Sequence, residues 1–404
     1  MPLIRSFRDM MASRRGNVAV VFALGLPLAV GGAGFGAETT YWYFRGVELQ
    51  NAADVAAHAG ALERRSGAAA ARVIETAEST AAENGFDPAL GAATVNAPPA
   101  TGPNVGGDAV EVLLTQRADR FFTAAFQPGG VELRARAVAA YSTAAHACIL
   151  ALDPTASRAV NFSGNTSVNL SGCSVMANST ASDAVNAQGS ATANLDCLIS
   201  GGGVSLTANV TLTECRQAVT HAPPVADPFA GVPAPAPSGG CLNDSGATLQ
   251  PGRYCSGMNL SGDVTLEPGV YYISNRFRVG ANARITGTGV TLYMADGASV
   301  SLNGNSTVQL SAPTAGTYAG ILFFGDRSVS GSSTFNGTND SLLTGAIYMP
   351  RQDVSYLGNF AGLSGCTQVV ARTIQWSGSS QINADCESLG LRKLPALEIV
   401  RLVE

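Results

Sequence analysis

The side chains that could carry acid–base chemistry are aspartates scattered between residues 263 and 353. They are Asp263, Asp296, Asp326, Asp340 and Asp353. An enzyme that cleaves or eliminates polysaccharides needs carboxylates clustered in one groove, with a basic residue or bound calcium for the eliminating class. These aspartates stand singly beside glycines and turn residues, where such side chains commonly bond the local backbone. We therefore predict no catalytic residues and no enzyme, and expect Asp326 with Arg327 and Asp353 with Arg351 to be surface charges.

The sequence also disfavours a metal site. The three histidines are His58, His146 and His221. They are not spaced as ligands, and the sequence has no C-x-x-C motif. The stretch CILALDPTAS does place Asp153, Thr155 and Ser157 after an apolar strand, as in the metal-binding adhesion loop of von Willebrand A domains. Such a domain alternates strands with long helices, which the sequence after Ser157 does not. We predict a turn here, with no metal and no cofactor.

The cysteines indicate an oxidising compartment. The chain has eight, and their number is even: Cys148, Cys173, Cys197, Cys215, Cys241, Cys255, Cys366 and Cys386. Each consecutive pair would close a loop of roughly 15 to 25 residues, a length at which closure costs little entropy. We predict four disulfides between nearest neighbours, outside the cytoplasm.

An uncharged run of residues, 16–37, is about as long as a bilayer-spanning helix. Arg5, Arg8, Arg14 and Arg15 precede it, and the positive-inside rule then leaves residues 1–15 as a cytoplasmic tail. A cleavable signal peptide is the alternative, but the run exceeds a usual signal core and lacks a clear A-x-A site. We predict a retained single-pass anchor in a bacterial inner membrane, with the bulk of the chain periplasmic or surface-exposed.

The anchor carries two further features. Gly32 and Gly36 form a G-x-x-x-G motif that would let a second anchor helix approach closely, which predicts self-association. Beyond Glu38 we expect a juxtamembrane helix over 38–85, with the aromatic residues 41–43 at the headgroups. Its apolar stripe is Leu49, Ala52, Ala53, Ala56, Ala59 and Leu62. Such a stripe packs on its own domain or on a neighbour.

Residues 14–61 resemble the N-terminal segment of the Flp pilus-assembly TadE/TadG-like family, from the tight-adherence secretion system. The matching elements are Arg14–Asn17, the V-F-A-L run with Pro27, the aromatic cluster at 41–44, and the L-Q-N-A-A-D stretch at 49–54. The resemblance implies other Tad/Flp pilus-assembly proteins as partners, beside the lipid bilayer. Pseudopilin members carry a glutamate five residues after the cleaved glycine, whereas Gly16 is followed at that spacing by Val21. The chain therefore looks like the longer TadG-like members, which stay anchored.

Residues 86–147 read as a small α/β, pilin-like unit. The stretch AVEVLLTQ predicts a strand, ADRFFTAAF a short helix and VELRARAVAAY a second strand. Phe121, Phe122 and Phe126 could equally line a lone helix that packs under the sheet.

The sequence pattern of residues 148–404 predicts a parallel β-solenoid. Short apolar–polar alternations are broken every 8 to 12 residues by turn residues, and at about 20 to 25 residues per coil the region would hold on the order of ten coils. A pair of β-sandwiches is the alternative. Residues 219–240 hold six prolines (VTHAPPVADPFAGVPAPAPSGG) and predict a semi-rigid loop that splits the solenoid or drapes across it.

These elements predict a mainly β protein that acts in assembly or anchoring of a Tad-type pilus, or in adhesion. A net charge of −5 without a basic half argues against nucleic acid as a partner. A carbohydrate-active solenoid enzyme is the rival, and two carboxylates with a base in one lateral groove would favour it. A glycan binder is the third class, for which exposed Tyr271, Tyr272, Tyr356 and Trp376 would have to line one face.

Overall fold

The structure is a computed structural model that describes residues 17–164, 167–358, 361–377, 379–383 and 391–404. It divides into two compact units. The first comprises the described residues up to Ser142 together with Val400–Glu404, and the second is Thr143–Ile399.

The first unit is a helical layer on an antiparallel sheet. Its elements are α1 (Asn17–Arg65), α2 (Ala70–Glu83), β1 (Gly91–Asn96), β2 (Ala109–Ala118) and the first half of β3 (Val131–Ala151). β2 pairs antiparallel with β1 on one side and with β3 on the other. The core between the layers comes from Leu49 and several alanines of α1, from Val73 of α2, and from Val110 and Val112 of β2. The two strands expected within 86–147 are present as β2 and the first half of β3, and the helices that cover them come from residues 17–83.

One helix was expected over 38–85, but this range is divided between the end of α1 and a separate α2. α1 continues without interruption from the apolar run to Arg65, and then Gly67 adopts φ +85° while the N–H of Ala68 reaches back to the carbonyl of Glu63 over 3.2 Å. A glycine in the left-handed region with this backbone bond is a common way to end a helix. α2 therefore begins separately at Ala70.

The buried stripe of α1 differs from the predicted one at its outer end. Leu49, Ala52, Ala53 and Ala56 are buried as expected. Beyond them Ala57 and Ala61 are buried, whereas Ala59 is half-buried and Leu62 is 37% exposed. The 3.6-residue period, continued through Gly60, explains the difference.

The second unit is a parallel β-solenoid of about 10 turns. Its strands before the proline-rich segment (219–240) are the end of β3, β4 (Val160–Phe162), β5 (Ser167–Ser171), β6 (Ser174–Ala177), β7 (Val185–Ala187), β8 (Thr192–Leu195), β9 (Leu198–Ser200), β10 (Val204–Leu206) and β11 (Asn209–Leu212). Those after it are β12 (Thr248–Leu249), β13 (Gly252–Tyr254), β14 (Met258–Leu260), β15 (Asp263–Leu266), β16 (Gly269–Ile273), β17 (Arg276–Val279), β18 (Arg284–Gly287), β19 (Val290–Met294), β20 (Ser299–Leu302), β21 (Thr307–Ser311), β22 (Ile321–Gly325), β23 (Gly331–Gly337), β24 (Leu342–Gly358), β25 (Ala361–Ser377), β26 (Ser379–Asn383) and β27 (Leu394–Leu402). The pairings described between the solenoid strands are parallel, so the β-sandwich alternative is wrong.

The coils do not stack in the order of the chain. On one face the neighbouring strands run β13, β16, β19, β22, β24, β25, β3, β6, β9. The last coil, built from β25 and β26, therefore lies beside the first coil, built from β3, β4 and β5. Aromatic rings continue across this junction, because Trp376 stacks on Tyr356 at 4.5 Å and also contacts Phe162 at 6.4 Å.

The proline-rich segment joins the two ends of this stack by lying along its outside. The N–H of Ala222 donates to the carbonyl of Ser200, the last residue of β9, and Val225 exchanges two hydrogen bonds with the side chain of Asn178. Farther along, the ring of Phe229 lies 5.0 Å from that of Tyr348 in β24. The segment therefore lies across the surface of the solenoid, which was one of the two arrangements predicted from the sequence.

Three of the predicted cysteine pairs are joined: Cys148–Cys173, Cys197–Cys215 and Cys241–Cys255. Cys366 is buried and disulfide-bonded. Cys386 lies outside the described residues, so the pairing of Cys366 with Cys386 stays a prediction.

Candidate membrane-anchoring site

The first half of α1 presents apolar side chains on all its sides. Among the described residues it belongs to the one helix long and apolar enough to cross a membrane, and only 6% of its most apolar window is buried. Exposed members include Phe22, Leu24 and Leu28, at 66%, 70% and 78%. Pro27 lies within the helix and does not end it. A helix that is apolar all round needs an apolar surrounding.

Gly32 and Gly36 are exposed, and a Cβ added at either would meet no atom within 4 Å. Their small surface is therefore open to a second helix, as the motif requires. The glycine between them, Gly34, is different. A Cβ added there would lie 2.5 Å from Cδ2 of Phe122, so this ring covers it.

Phe122 belongs to a segment that we call the 119–127 loop, which connects β2 to β3. It contains only a short 3-10 turn, Thr123–Ala125, where a helix was expected. Phe121 and Phe126 are exposed and do not line a helix packed under the sheet, so that alternative is wrong as well. A longer helix cannot form because Pro128 and Gly129, the latter at φ +98°, follow the segment directly and do not continue a helix.

Glu38 is the first charged residue after the apolar run, and it is 2% exposed. Its carboxylate accepts hydrogen bonds from the backbone N–H of Phe121 at 2.6 Å and of Thr123 at 3.0 Å. A buried carboxylate without such donors would be costly. Glu38 therefore fixes the 119–127 loop on α1 one turn beyond Gly34. Sequence reasoning missed this contact, and its only signal was a lone acid at the end of the apolar run.

The aromatic residues that follow Glu38 divide into two groups. Trp42 donates from Nε1 to the carbonyl of Asp119 at 2.9 Å, and the guanidinium of Arg120 lies over its ring at 5.2 Å. The ring of Tyr41 contacts that of Phe121 at 4.9 Å. Tyr43, by contrast, is 69% exposed, as expected for a member of an aromatic belt.

In the solenoid, Arg372 brings two carboxylates together. Its Nη1 lies 3.3 Å from Oδ2 of Asp153, and its Nη2 pairs with Asp353, which also accepts from the hydroxyl of Thr373. Asp353 thus pairs with Arg372 and lies in β24, so its assignment to a turn is wrong. Burial opposes ionisation of Asp153, but N–H groups of the turn and Arg372 hold its pKa below the ordinary value. A general acid would need a raised pKa.

The metal-like stretch forms the turn that was predicted. Oδ1 of Asp153 accepts the N–H groups of Thr155 and Ala156, at 3.0 and 2.8 Å. The hydroxyl of Ser157 donates to Asp183 at 2.7 Å. Among the residues that the structure describes, no group of three or more His, Cys, Asp and Glu is placed to hold a metal ion.

Arg327 was expected to be a surface charge, but it is half-buried and its guanidinium has specific partners. It donates to the carbonyls of Phe229 and Val232 at 2.6 and 2.8 Å, and to the hydroxyl of Tyr348 at 2.8 Å. Asp326 instead accepts from the N–H of Ser328 at 2.7 Å. Arg327 therefore holds the proline-rich segment.

The aromatic residues considered for glycan binding are mostly internal. Tyr271 and Trp376 are fully buried, Tyr356 is 2% exposed, and only Tyr272 is half-buried at the surface. They stabilise the stack between coils.

Comparison with known proteins identifies the N-terminal segment. No curated protein and no solved structure matches the chain. Residues 16–71, which hold the apolar run, Glu38 and the buried stripe of α1, match the family model described as putative Flp pilus-assembly TadE/G-like. In this segment the chain is therefore similar to the TadE/G-like family of Flp pilus assembly, as the sequence resemblance predicted.

Proposed function

We propose that the protein is a membrane-anchored, extracytoplasmic structural component of Tad/Flp-type pilus assembly or anchoring, and that it contributes to surface adhesion. The observation that carries the proposal is the family match over residues 16–71, which coincides with a long helix whose first half is apolar and whose second half packs into a folded unit. This is the construction of a tether.

The orientation follows from charge. Four arginines precede the apolar run within residues 1–15, where Asp9 is the only acid, so the N-terminus is cytoplasmic and the solenoid lies outside the inner membrane. The disulfides of the solenoid support the same placement, because cytosolic thiols are kept reduced. Its partners are then the bilayer, other pilus-assembly proteins and a second anchor helix.

We also propose that the protein acts without catalysis. What supports this is that Asp153 and Asp353 already have structural partners in Arg372, the turn N–H groups and Thr373. The buried aromatic residues likewise leave the glycan-binding alternative without a platform.

The test is to separate inner membrane, outer membrane and shed pili from the native bacterium and to determine the protein's N-terminal sequence in each. We expect an uncut anchor in the inner membrane, and loss of surface pili when the gene is deleted. Restoring it without residues 16–37 should not rescue piliation. A start at Asn17 in the pilus fraction would make the protein a processed pilus subunit, and normal piliation of the deletion strain would refute the role.

A further inference from the structure

The 119–127 loop reaches the depth of the apolar run of α1. Phe122 covers Gly34, and Gly34 precedes Ala37, the last residue of the uncharged run, by three positions. At a rise of about 1.5 Å per residue, the ring lies roughly 4 to 5 Å inside the end of that run. If α1 spans a bilayer, this part of the loop is at the level of the lipid.

Three backbone polar groups of the loop have partners on α1 near this depth. Glu38 accepts from the N–H of Phe121 and of Thr123, and the carbonyl of Asp119 accepts from Trp42. Irregular backbone is tolerated near hydrocarbon only when protein or water satisfies its hydrogen bonds. These contacts meet that requirement for the N–H groups of Phe121 and Thr123 and for the carbonyl of Asp119.

Between its polar ends, Asp119 and Gln127, which are exposed, the loop turns mainly apolar side chains outward. Phe121 is 62% exposed and Phe126 is 80% exposed, and Phe44 of α1 is 64% exposed. Phe126 is anchored within the loop by its contact with Phe122 at 6.3 Å. Aromatic side chains exposed at the end of a spanning helix are typical of the headgroup region.

We propose that the 119–127 loop is a second membrane contact, which inserts Phe121 and Phe126 among the lipid headgroups beside the point where α1 leaves the bilayer. The occupant is lipid because the exposed rings continue the exposed apolar surface of α1, including Phe35 at 55%. The inference rests on the proposed function only in requiring that α1 spans the membrane. The loop contact would also fix the depth of the α/β unit in the membrane surface, because Glu38 holds the 119–127 loop of that unit on α1.

The test uses the full chain in phosphatidylcholine vesicles whose acyl chains are brominated either near the headgroup or deep in the bilayer. Phe126→Trp is the probe, and Val105→Trp is its matched control. Val105 is similarly exposed, at 59%, but precedes β2, so it is separated from the loop by the length of that strand, about 30 Å. The emission of wild type, which has two tryptophans, is subtracted.

We expect lipid bromine to quench Phe126→Trp at least threefold more than Val105→Trp, and the shallow label to act more strongly than the deep one. Adding Glu38→Ala should reduce this quenching, because the loop then loses its attachment. Flotation of the wild-type protein with the vesicles after an alkaline wash tests only whether α1 is inserted in the bilayer. Failure to float would overturn the anchor and the loop contact together, whereas flotation with equal quenching of the two probes would overturn only the loop contact.

Discussion

Arg136 donates from Nε to Oε1 of Glu111 across 2.9 Å, and the carboxylate that it reaches is fully buried between β2 and its neighbours. The same carboxylate accepts hydrogen bonds from the side chain of Asn96 and the N–H of Ala100, at 2.9 and 3.0 Å, and from Thr101. Arg136 in turn pairs with Glu404. This network ties the sheet of the first unit to the loop after β1.

The network makes the first unit sensitive to acid. Burial alone would raise the pKa of Glu111, but the hydrogen bonds from Thr101, Asn96, Ala100 and Arg136 lower it to about 2, from an ordinary value of 4.5. Its stabilisation is therefore complete above pH 4.5 and is lost as the pH falls from 4.5 toward 2. We expect a loss of about 2 to 3 kcal/mol across this window, measured as the unfolding free energy from the helical circular dichroism signal in detergent.

The control for this pH dependence is Glu111→Gln. The variant should be less stable at neutral pH and should lose less stability between pH 4.5 and 2, since it has no charge to neutralise. If the variant loses as much unfolding free energy as the wild type between pH 4.5 and 2, other carboxylates are responsible for the acid sensitivity.

Arg327→Lys should loosen the proline-rich segment. Lysine cannot reproduce the three bonds that the guanidinium makes to Phe229, Val232 and Tyr348. We expect cleavage by chymotrypsin after Phe229, which is 1% exposed in the intact protein, to become at least tenfold faster. Arg278→Lys, at an exposed position of β17, is the control. Equal cleavage rates for the two variants would mean that Arg327 does not hold the segment.

Replacing Cys241 and Cys255 by serine should destabilise the solenoid without opening a cavity, because Cys241 is exposed and Cys255 is half-buried. Closing a loop of about 15 residues stabilises by roughly 3 kcal/mol. That corresponds to a fall of about 6 to 12 °C in the melting temperature of a unit of this size. Scanning calorimetry would measure it, and an unchanged melting temperature would contradict the stabilising role.

The order of reduction should follow exposure. Cys148 and Cys173 are both 0% exposed, so a mild reductant should open Cys241–Cys255 well before Cys148–Cys173. Alkylation of the released thiols followed by peptide mass analysis gives the order. Earlier labelling of Cys148 would show that the buried pair opens by local unfolding of the solenoid.

Gly32→Leu should weaken self-association of the anchor at least fivefold, because the added side chain separates the helix backbones. The measurement is the fraction of crosslinked dimer in native membranes. Gly31→Leu, on the next face of the same helix and equally free of neighbours, is the matched control. The G-x-x-x-G proposal fails if both variants give the wild-type pattern.

Sequence alone predicts the elements whose signal is local. The uncharged run marks α1, and short alternations such as those of β15 and β17 mark solenoid coils because their inward residues repeat every second position. The order of the coils was not predictable. Alternation shows that a strand faces a core. It does not show which strand lies beside it, and β25 pairs with β3 although more than two hundred residues separate them in the sequence.

The candidate site was predictable only in part. The aromatic residues after Glu38 indicated the membrane surface, yet the partner of Glu38 lies more than eighty positions away and leaves no periodic signal. The convergence of Asp353 and Arg372 was missed for a related reason. Asp353 and Thr373 are register partners on adjacent coils, so their proximity follows from the coil length, which the irregular repeat concealed.

The displaced order of the coils also bears on how the protein is made. A chain that emerges N-terminal end first completes the coil of β3, β4 and β5 long before residues 366–383, against which that coil stacks, have been synthesised. Until then its edge carries unpaired backbone groups. The coil of β25 and β26, which pairs with β24 on one side and with β3 on the other, is thus the last part of the stack to be synthesised. Deleting residues 361–383 would leave two separate stacks joined by the proline-rich segment, and not one shorter solenoid.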